Sequence, residues 1–224
     1  MTESLKFARR AAKSGKARSI VVFVHGYGAD GADLLGLADV LAPHLPDTLF
    51  YAPDAPDACS GNPFGFQWFP IPWMDGSSEA AAAAGLAASS VLLNAFIDAC
   101  LAEADLTDAD LALVGFSQGA MISMHLAPRR AQPIAGVVAI SGRLLQPEAL
   151  ANATQSRPPM LLIHGDQDPV VPFPSMKAAA EVLVAAGFKT QSHVMRGTGH
   201  GIANDGLQTA LAFLIRTLPA AESR

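Results

Sequence analysis

The segment Gly115-Phe116-Ser117-Gln118-Gly119 constrains the fold of this chain more than any other. It follows an apolar run at 111–114 that is typical of a buried strand, and it precedes a helical segment at 120–127. A strand, Gly-x-Ser-x-Gly and a helix in this order form a nucleophile elbow, whose turn is so sharp that glycine is needed on both sides of the serine. The pattern predicts that Ser117 projects from the carboxyl end of a strand, above the positive end of a helix dipole. The alternative interpretation is a structural tight turn without chemistry.

His200 is the histidine best placed to act as the general base for this serine. In this motif order the base follows the nucleophile, and His200 lies between two glycines after a predicted strand at 190–195. Loops at the carboxyl ends of parallel strands meet at one edge of the sheet, so His200 is expected to reach Ser117. The other five histidines lie inside predicted elements, precede the serine or adjoin the acidic loop: His25, His44, His125, His164 and His193.

Asp168 is the favoured acid for orienting this histidine. A predicted buried strand at 160–163 opens into a turn-rich loop at 164–172, which contains Asp166 and Asp168. The proline-bounded stretch after Asp168 holds it rigidly, whereas Asp166 is expected to satisfy backbone groups of the turn. The predicted catalytic triad is therefore Ser117, Asp168 and His200.

The loop after the first predicted parallel strand, 19–24, is the candidate for half of an oxyanion hole. Folds with a nucleophile elbow take one oxyanion donor from the residue after the serine, here the backbone N–H of Gln118. The other donor comes from the early loop, where the N–H of Tyr27 lies between Gly26 and Gly28.

The same loop supports a rival interpretation as a dinucleotide-binding site. Residues 26–31 match Gly-x-Gly-x-x-Gly between a strand and a predicted helix at 33–41, and Asp54 follows the next strand. This interpretation leaves the elbow and the loops of Asp168 and His200 unexplained. We keep it as an alternative of a different class, together with a hydrolase-fold binding protein that lacks catalytic activity.

Four motifs in this order resemble the phospholipase/carboxylesterase family, the small serine hydrolases that include acyl-protein thioesterases and bacterial carboxylesterases. They are His25–Leu34, Gly115–Gly119, His164–Pro172 and Gly199–Gly201, within a resemblance that runs from about Ser19 to about Phe213. The resemblance implies Ser117, Asp168 and His200 as the triad, with the amides of Tyr27 and Gln118 as oxyanion donors. Trp68-Phe69 is followed by Pro70-Ile71, where the thioesterase branch usually has an acidic residue, and this favours the bacterial carboxylesterase branch.

Strand and helix patterns alternate along the chain, which predicts a single α/β-hydrolase domain over residues 1–224. The expected fold is a doubly wound, mostly parallel sheet with helices on both faces. A lid domain is not expected, because only residues 141–159 lie where larger lipases insert one. A further strand is predicted at 134–140 and helices at 78–104, 175–186 and 202–218, the first with a break at Gly85.

Composition and charge exclude several other classes of function. A net charge of −5 without a basic stripe predicts no nucleic-acid partner, and no apolar run approaches the length of a bilayer span, so no stable membrane insertion is expected. Cys59 and Cys100 form neither a disulfide framework nor a ligand pair, which predicts free thiols in the cytoplasm and no metal or cofactor. The basic segment 1–18 lacks the apolar centre of a secretory signal and is expected to form a solvated edge strand. The sequence leaves a homodimer open.

Residues 52–74, interrupted by prolines and without a helix or strand period, concentrate the aromatic residues Phe64, Phe66, Trp68, Phe69 and Trp73. These side chains are predicted to form an apolar wall that binds the acyl or alcohol part of a small-molecule ester, with a satellite hydrophobic cluster as the alternative. The resulting hypothesis is a lidless serine carboxylesterase that hydrolyses short- to medium-chain esters through an acyl-enzyme. An acyl-thioesterase or lysophospholipase with the same triad is the alternative within the class.

Overall fold

A seven-stranded sheet forms the centre of the computed structural model, which describes residues 4–59 and 62–219. The strands of the described ranges are β1 (Phe7–Arg10), β2 (Ser19–Val24), β3 (Thr48–Pro53), β4 (Asp57–Cys59), β5 (Asn62–Gln67), β6 (Leu111–Phe116), β7 (Gly136–Ile140), β8 (Met160–Gly165) and β9 (Thr190–Met195). The order in the main sheet is β1-β3-β2-β6-β7-β8-β9, and β1 alone runs antiparallel to its neighbour. β4 and β5 form a separate antiparallel hairpin.

Helices cover both faces of this sheet. They are α1 (Gly31–Leu35), α2 (Leu37–Leu41), α3 (Pro72–Asp75), α4 (Glu79–Ala104), α5 (Gln118–Leu126), α6 (Pro147–Ala153), α7 (Pro174–Ala185) and α8 (Asn204–Thr217). Buried side chains of α4, α5, α6 and α7 belong to one apolar cluster, and those of α1, α2 and α8 belong to a second. This is the doubly wound α/β-hydrolase architecture that the sequence predicted.

The apolar strand runs are explained by burial on both faces. In β2, Ile20 and Val22 contribute to the first cluster, whereas Val21 and Phe23 contribute to the second. All four are completely buried. A strand whose side chains alternate between two covered faces must be apolar at every position, which explains the apolar run of β2 at 19–24. The strand predicted at 190–195 also matches β9, although β9 is a partly exposed edge strand with polar residues.

The amino-terminal prediction is confirmed, since β1 is the antiparallel edge strand and Phe7 within it is half exposed. The segment between β7 and β8, where a lid domain was not expected, is short. Residues 141–159, which connect β7 to β8, contain only the seven-residue helix α6. The carboxyl edge of the sheet is therefore not covered by an insertion at this position.

Three local predictions were wrong. The helix expected at 33–41 is two short helices separated at Gly36. α4 continues through Gly85 without a break, because the missing side chain lets the helix approach Pro70, whose Cδ would lie 2.8 Å from a Cβ at that position. Residues 52–74 do form regular structure, namely the β4–β5 hairpin and α3.

α4 also corrects the prediction about apolar length. Within the described ranges it is a helix whose length and composition would allow it to span a membrane. Its face of Leu86, Leu93, Ile97, Cys100 and Leu101 is nevertheless buried as the sequence predicted, and these residues belong to the cluster on one side of the sheet. In this fold α4 packs this one face against the sheet.

The role of α4 in the core gives a first prediction. Leu93→Ala should lower the free energy of unfolding by about 2–5 kcal/mol, because a completely buried leucine leaves a cavity when it is truncated. Val91→Ala in the same helix should change it by no more than about 0.5 kcal/mol, because Val91 is 64% exposed. Denaturant titration of the two variants measures both values, and equal losses would contradict this packing of α4.

Candidate active site

Ser117 occupies a strained turn between β6 and α5. Its backbone has φ 54° and ψ −116°, a region that residues other than glycine rarely adopt. Its N–H donates a 2.8 Å hydrogen bond to the carbonyl of Ile140, which ties the turn to β7. A Cβ at Gly115 would collide with the backbone of Gly119, and a Cβ at Gly119 would collide with the carbonyl of Val24 in β2. Both glycines are thus required by close approach of backbone segments.

Three side chains from the ends of three strands meet at this turn. Nε2 of His200 lies 3.0 Å from Oγ of Ser117, and Nδ1 of His200 lies 2.8 Å from Oδ2 of Asp168. Because an ionised carboxylate only accepts hydrogen bonds, Nδ1 carries the proton and Nε2 is left to accept from the serine hydroxyl. The Asp168 carboxylate is completely buried, and the His200 ring packs 5.0 Å from Phe116, centroid to centroid. This arrangement fits a nucleophile, a general base and an orienting acid.

Asp168 is held as an ionised acceptor. Its Oδ1 accepts hydrogen bonds from the backbone N–H groups of Val170 and Val171, each at 2.9 Å. Burial raises the pKa of Asp168, but the hydrogen bonds from His200 and from these two amides outweigh burial and bring the pKa below its ordinary value. Oδ1 therefore binds its own loop, whereas Oδ2 faces Nδ1 of His200 and also lies 3.3 Å from Nε2 of the buried His164.

Asp166 has a different set of partners. Its Oδ1 accepts from the N–H of Gly197 at 2.7 Å, and its Oδ2 lies 3.5 Å from the guanidinium of Arg196. These contacts join the turn after β8 to the turn after β9, which leads to His200. The structure thus brings Asp168, and not Asp166, to the histidine.

The loop after β2 lies beside the nucleophile. A Cβ at Gly26 would be 3.3 Å from Cβ of Ser117, so the adjacent Tyr27 is close to the elbow. Gln118 is the first residue of α5, a position whose backbone N–H has no acceptor within the helix. Both predicted oxyanion donors are therefore neighbours of Ser117, and their role stays a prediction.

His25 and Trp68 support this loop from below, a role that sequence reasoning missed. Both residues are completely buried. The His25 ring donates from Nδ1 to the carbonyl of Gly26 at 2.7 Å and accepts at Nε2 from the N–H of Ala55 at 3.0 Å. Burial lowers the pKa of His25, which keeps the ring neutral as these bonds require. The indole N–H of Trp68 donates to the carbonyl of His25 at 3.0 Å. The sequence contained one signal for this role: His25 directly follows a buried apolar strand, and a buried polar side chain needs hydrogen-bond partners.

The side chain of Gln118 is a second contribution that sequence reasoning missed. Its Oε1 accepts from the backbone N–H of Trp68 at 2.8 Å, and its Nε2 donates to the carbonyl of Phe69 at 2.6 Å. Gln118 is completely buried. The Gln118 side chain therefore binds the segment after β5 to the first turn of α5, next to Ser117.

The remaining histidines have structural surroundings. His164 is completely buried, with Nε2 2.9 Å from the carbonyl of Val171. His125 lies inside α5, where burial and the nearby Arg129 lower its pKa to about 4. His193 contacts Asp205 at 2.8 Å. None of these rings is placed at Ser117 in the described part of the chain.

The five aromatic residues predicted as one substrate wall are separated in the structure. Trp68 is completely buried and Phe69 nearly so, whereas Phe64 is 89% exposed on the hairpin. Phe66 lines a different cavity from the one lined by Phe69 and Trp73. The prediction of a single wall was wrong because the hairpin and α3 point these side chains in different directions.

One apolar cleft remains next to the elbow. It opens to solvent and is lined by Phe69, Trp73, Leu86 and Leu145 among others. The hydrogen bond from Gln118 to Phe69 places this cleft beside the catalytic turn. Phe69 and Trp73 therefore line a surface that could contact a substrate, and their role in substrate binding stays a prediction.

The dinucleotide interpretation is not favoured by the local contacts. Oδ1 of Asp54, which that interpretation would assign to a ribose, accepts a 2.9 Å hydrogen bond from the N–H of Gly31. α1, which follows the glycine loop, has only five residues. Over residues 4–59 and 62–219, no group of three or more His, Cys, Asp or Glu side chains is arranged to hold a metal ion.

Comparison with known proteins shows the family of this chain. The model of the phospholipase/carboxylesterase family matches residues 7–218. The chain is 32% identical over 209 residues to esterase YpfH of Escherichia coli, covering 91% of this chain and 84% of that protein. It is 29% identical over 225 residues to acyl-protein thioesterase 1 of Saccharomyces cerevisiae, covering 94% and 97%. The crystal structure of esterase PE8 superposes with a TM-score of 0.92 at 42% identity, covering 96% of this chain and all of that one.

The contacts of the two aspartates give a second prediction. In Asp168→Asn the amide oxygen should keep the bonds from Val170 and Val171, so the NH₂ group would face Nδ1 of His200. That reverses the histidine tautomer and should lower kcat by about four orders of magnitude.

Asp166→Asn is the matched control for that change. Its amide oxygen can still accept from Gly197, so kcat should fall by less than about tenfold. Steady-state hydrolysis of a short ester measures both variants, with circular dichroism as the check on folding. Equal losses, or a larger loss for Asp166→Asn, would show that Asp168 is not the acid of the triad.

Proposed function

The chain belongs to the phospholipase/carboxylesterase family, and we propose on this basis that it is a serine carboxylesterase with Ser117, Asp168 and His200 as its triad. It is a carboxylic ester hydrolase, as its family and its esterase relatives indicate. The observation that carries the assignment of residues is the continuous chain of hydrogen-bond distances from Ser117 through His200 to Asp168. A binding protein with a hydrolase fold but no catalytic activity would not need this series of hydrogen bonds.

The proposed mechanism proceeds through an acyl-enzyme. Oγ of Ser117 attacks the ester carbonyl carbon while Nε2 of His200 takes the hydroxyl proton, and the carbonyl electron pair moves onto the oxygen. The amides of Tyr27 and Gln118 are the proposed donors to that oxyanion. Collapse of the tetrahedral intermediate breaks the carbon–oxygen bond of the leaving alcohol, which receives the proton from His200. Water then repeats the sequence and releases the acid and the free serine.

Asp168 and the elbow prepare this chemistry before substrate arrives. Asp168 stabilises the imidazolium that forms during each proton transfer, because its carboxylate is buried, ionised and aimed at Nδ1. Ser117 cannot turn away from its position without disturbing β6 and α5. The groups are thus preorganised, which is the largest electrostatic contribution to catalysis in such sites.

Short- to medium-chain esters suit the surroundings of this triad. No lid is available between β7 and β8, so a long chain has no cover there. The small apolar cleft beside the elbow has room for a few methylene groups, each worth about 0.8 kcal/mol when buried. The cytoplasmic location and the absence of a nucleic-acid partner stay predictions.

A thioesterase is the second candidate, because relatives of this chain include acyl-protein thioesterases. A thioester is attacked by the same serine and leaves a thiol, so the triad does not distinguish the two activities. Lysophospholipase activity would use the same residues. Matched esters and thioesters of one acyl group distinguish these candidates by their kcat/KM.

The assignment of the nucleophile gives a third prediction. A fluorophosphonate probe should label Ser117 covalently, and Ser117→Ala should lower kcat by at least about three orders of magnitude with the fold intact. Ser90→Ala, which removes a buried hydroxyl in α4, should keep the label and most of the activity. Intact-mass spectrometry and ester hydrolysis provide the measurements. Near-normal turnover by Ser117→Ala would overturn the proposed mechanism.

The cleft gives a fourth prediction, about chain length. For neutral esters kcat/KM should rise by up to about fourfold per added methylene, from about 0.8 kcal/mol of burial, and level off by roughly eight acyl carbons. It should not jump when the substrate forms micelles. Trp73→Ala should flatten the rise more than it lowers acetate hydrolysis, because Trp73 lines the cleft.

Phe64→Ala is the control for that variant, because the 89% exposed Phe64 should leave the profile unchanged. A kcat/KM that climbs steadily to palmitoyl substrates would instead favour the thioesterase or lysophospholipase candidate.

A further inference from the structure

Arg143 is held close to the nucleophile by the loop that follows β7. The N–H of Ser141 donates to the carbonyl of Ile163 at 2.8 Å, and Ser141 has a left-handed φ of 52°. Gly142 packs so tightly on the elbow that a Cβ there would lie 2.7 Å from Cβ of Ala120 and 3.3 Å from the carbonyl oxygen of Ser117. Arg143 comes next in the chain, so its backbone is fixed beside the catalytic turn.

Arg143 differs from every other arginine in the described ranges because it has no hydrogen bond or ion pair. The others contact a carboxylate, an amide oxygen or a backbone carbonyl: Arg9, Arg10, Arg18, Arg129, Arg130, Arg157, Arg196 and Arg216. Nε of Arg143 is buried and has no partner within residues 4–59 and 62–219. Such a buried donor is unusual, because its lost hydration is not replaced.

The guanidinium of Arg143 lines the cleft next to the elbow. Its Cζ lies 4.1 Å from the centroid of the Trp73 ring, which is a cation–π distance, and its nitrogens make no hydrogen bond within the described ranges. Phe69, Leu86 and Leu145 supply apolar walls around it. A cation with free donors in an apolar cleft is the arrangement that binds a planar anion, because low polarity strengthens the interaction.

Among the described residues, Glu79 is the acidic side chain that lines the same cleft. It is too far from Arg143 to form an ion pair. Burial lowers the pKa of Arg143, and the negative charge of Glu79 acts in the opposite direction. A second negative charge in the cleft therefore meets some repulsion from Glu79. This favours a carboxylate with one charge over a phosphate with nearly two.

We propose that Arg143 binds a carboxylate on the substrate, so that the enzyme prefers esters that carry an acidic group a few carbons from the ester bond. This inference rests on the proposed esterase function and adds the substrate class. The apolar walls would hold the intervening methylenes, and the guanidinium fork would bind both carboxylate oxygens. The acid group could belong to the acyl part or to the alcohol part of the ester, and the experiment distinguishes the two.

The test compares pairs of esters that match in length and differ in charge. Monomethyl adipate against methyl hexanoate places the carboxylate on the acyl side, and the butyryl ester of 4-hydroxybutanoate against butyl butyrate places it on the alcohol side. Acid release gives kcat/KM, and the ratio of charged to neutral substrate is the readout. In one of the two pairs, Arg143→Met should lower this ratio roughly ten- to hundredfold, while neutral turnover falls less than about threefold.

Further variants separate binding of the anion from a structural role. Arg143→Lys should give an intermediate ratio, since it retains the charge without the bidentate fork. Glu79→Gln should raise the ratio in the same pair, because it removes a competing negative charge while leaving Arg143 in place. Arg216→Gln makes the same change of charge at a distant place, near the first residues of β9, where Arg216 contacts Gln191. It should leave the ratio unchanged. The preference should also weaken as salt is added.

The outcomes separate this inference from the proposed function. If neutral esters are hydrolysed but Arg143→Met and Glu79→Gln leave the ratio unchanged in both pairs, carboxylate recognition is wrong and the esterase assignment stands. If Arg143→Met lowers turnover of charged and neutral esters equally, Arg143 serves only to hold the loop. If the wild-type protein hydrolyses none of the four esters, the proposed function fails and this inference fails with it.

Discussion

The close approach of the β6–α5 turn to β2 is the constraint on which the rest of this structure depends. The first residues of α5 contact the carboxyl end of β2 so closely that Gly119 has no space for a side chain. Ser117 must then adopt a positive φ, which costs on the order of 1–3 kcal/mol and persists only where neighbouring structure enforces it. Here the sheet enforces it, through the hydrogen bond to Ile140 and the complete burial of α5. The strain holds one hydroxyl at the edge where the other loops converge.

Hydrogen bonds between side chains and backbone groups then fix those loops and join two of them. Asp168 is fixed by two amides of its own loop, Asp166 joins that loop to the one leading to His200, and His25 anchors the loop of Tyr27. Each contact satisfies a buried or half-buried polar group that would otherwise be costly. The same bonds that stabilise the loops also set the distances of the triad, so stability and geometry at this edge have a common origin.

The aromatic segment shows how support and recognition are divided. Trp68 is buried under the oxyanion loop, and Gln118 holds the backbone of Trp68 and Phe69 against the elbow. Trp73, only a few residues later, faces a solvent-open cleft and stacks on Arg143. One short segment therefore stabilises the turn that carries the nucleophile and contributes a wall of the cleft beside it. This arrangement couples the position of the cleft to the position of Ser117.

Sequence alone determined the features that depend on local chemistry and on chain order. The elbow required glycines at 115 and 119, burial on both faces required uninterrupted apolar strands such as β2, and proline and turn residues distinguished Asp168 from Asp166. Only the tertiary structure decided the features that depend on contacts between distant segments. It placed Trp68 against His25 and separated the five aromatic side chains into different surroundings. It also kept α4 unbroken at Gly85 through packing on Pro70, and it left Arg143 without a hydrogen-bond partner among the described residues. Local patterns report what a residue's neighbours in the chain allow, whereas burial and hydrogen-bond partners are set by residues tens of positions away, which no local pattern contains.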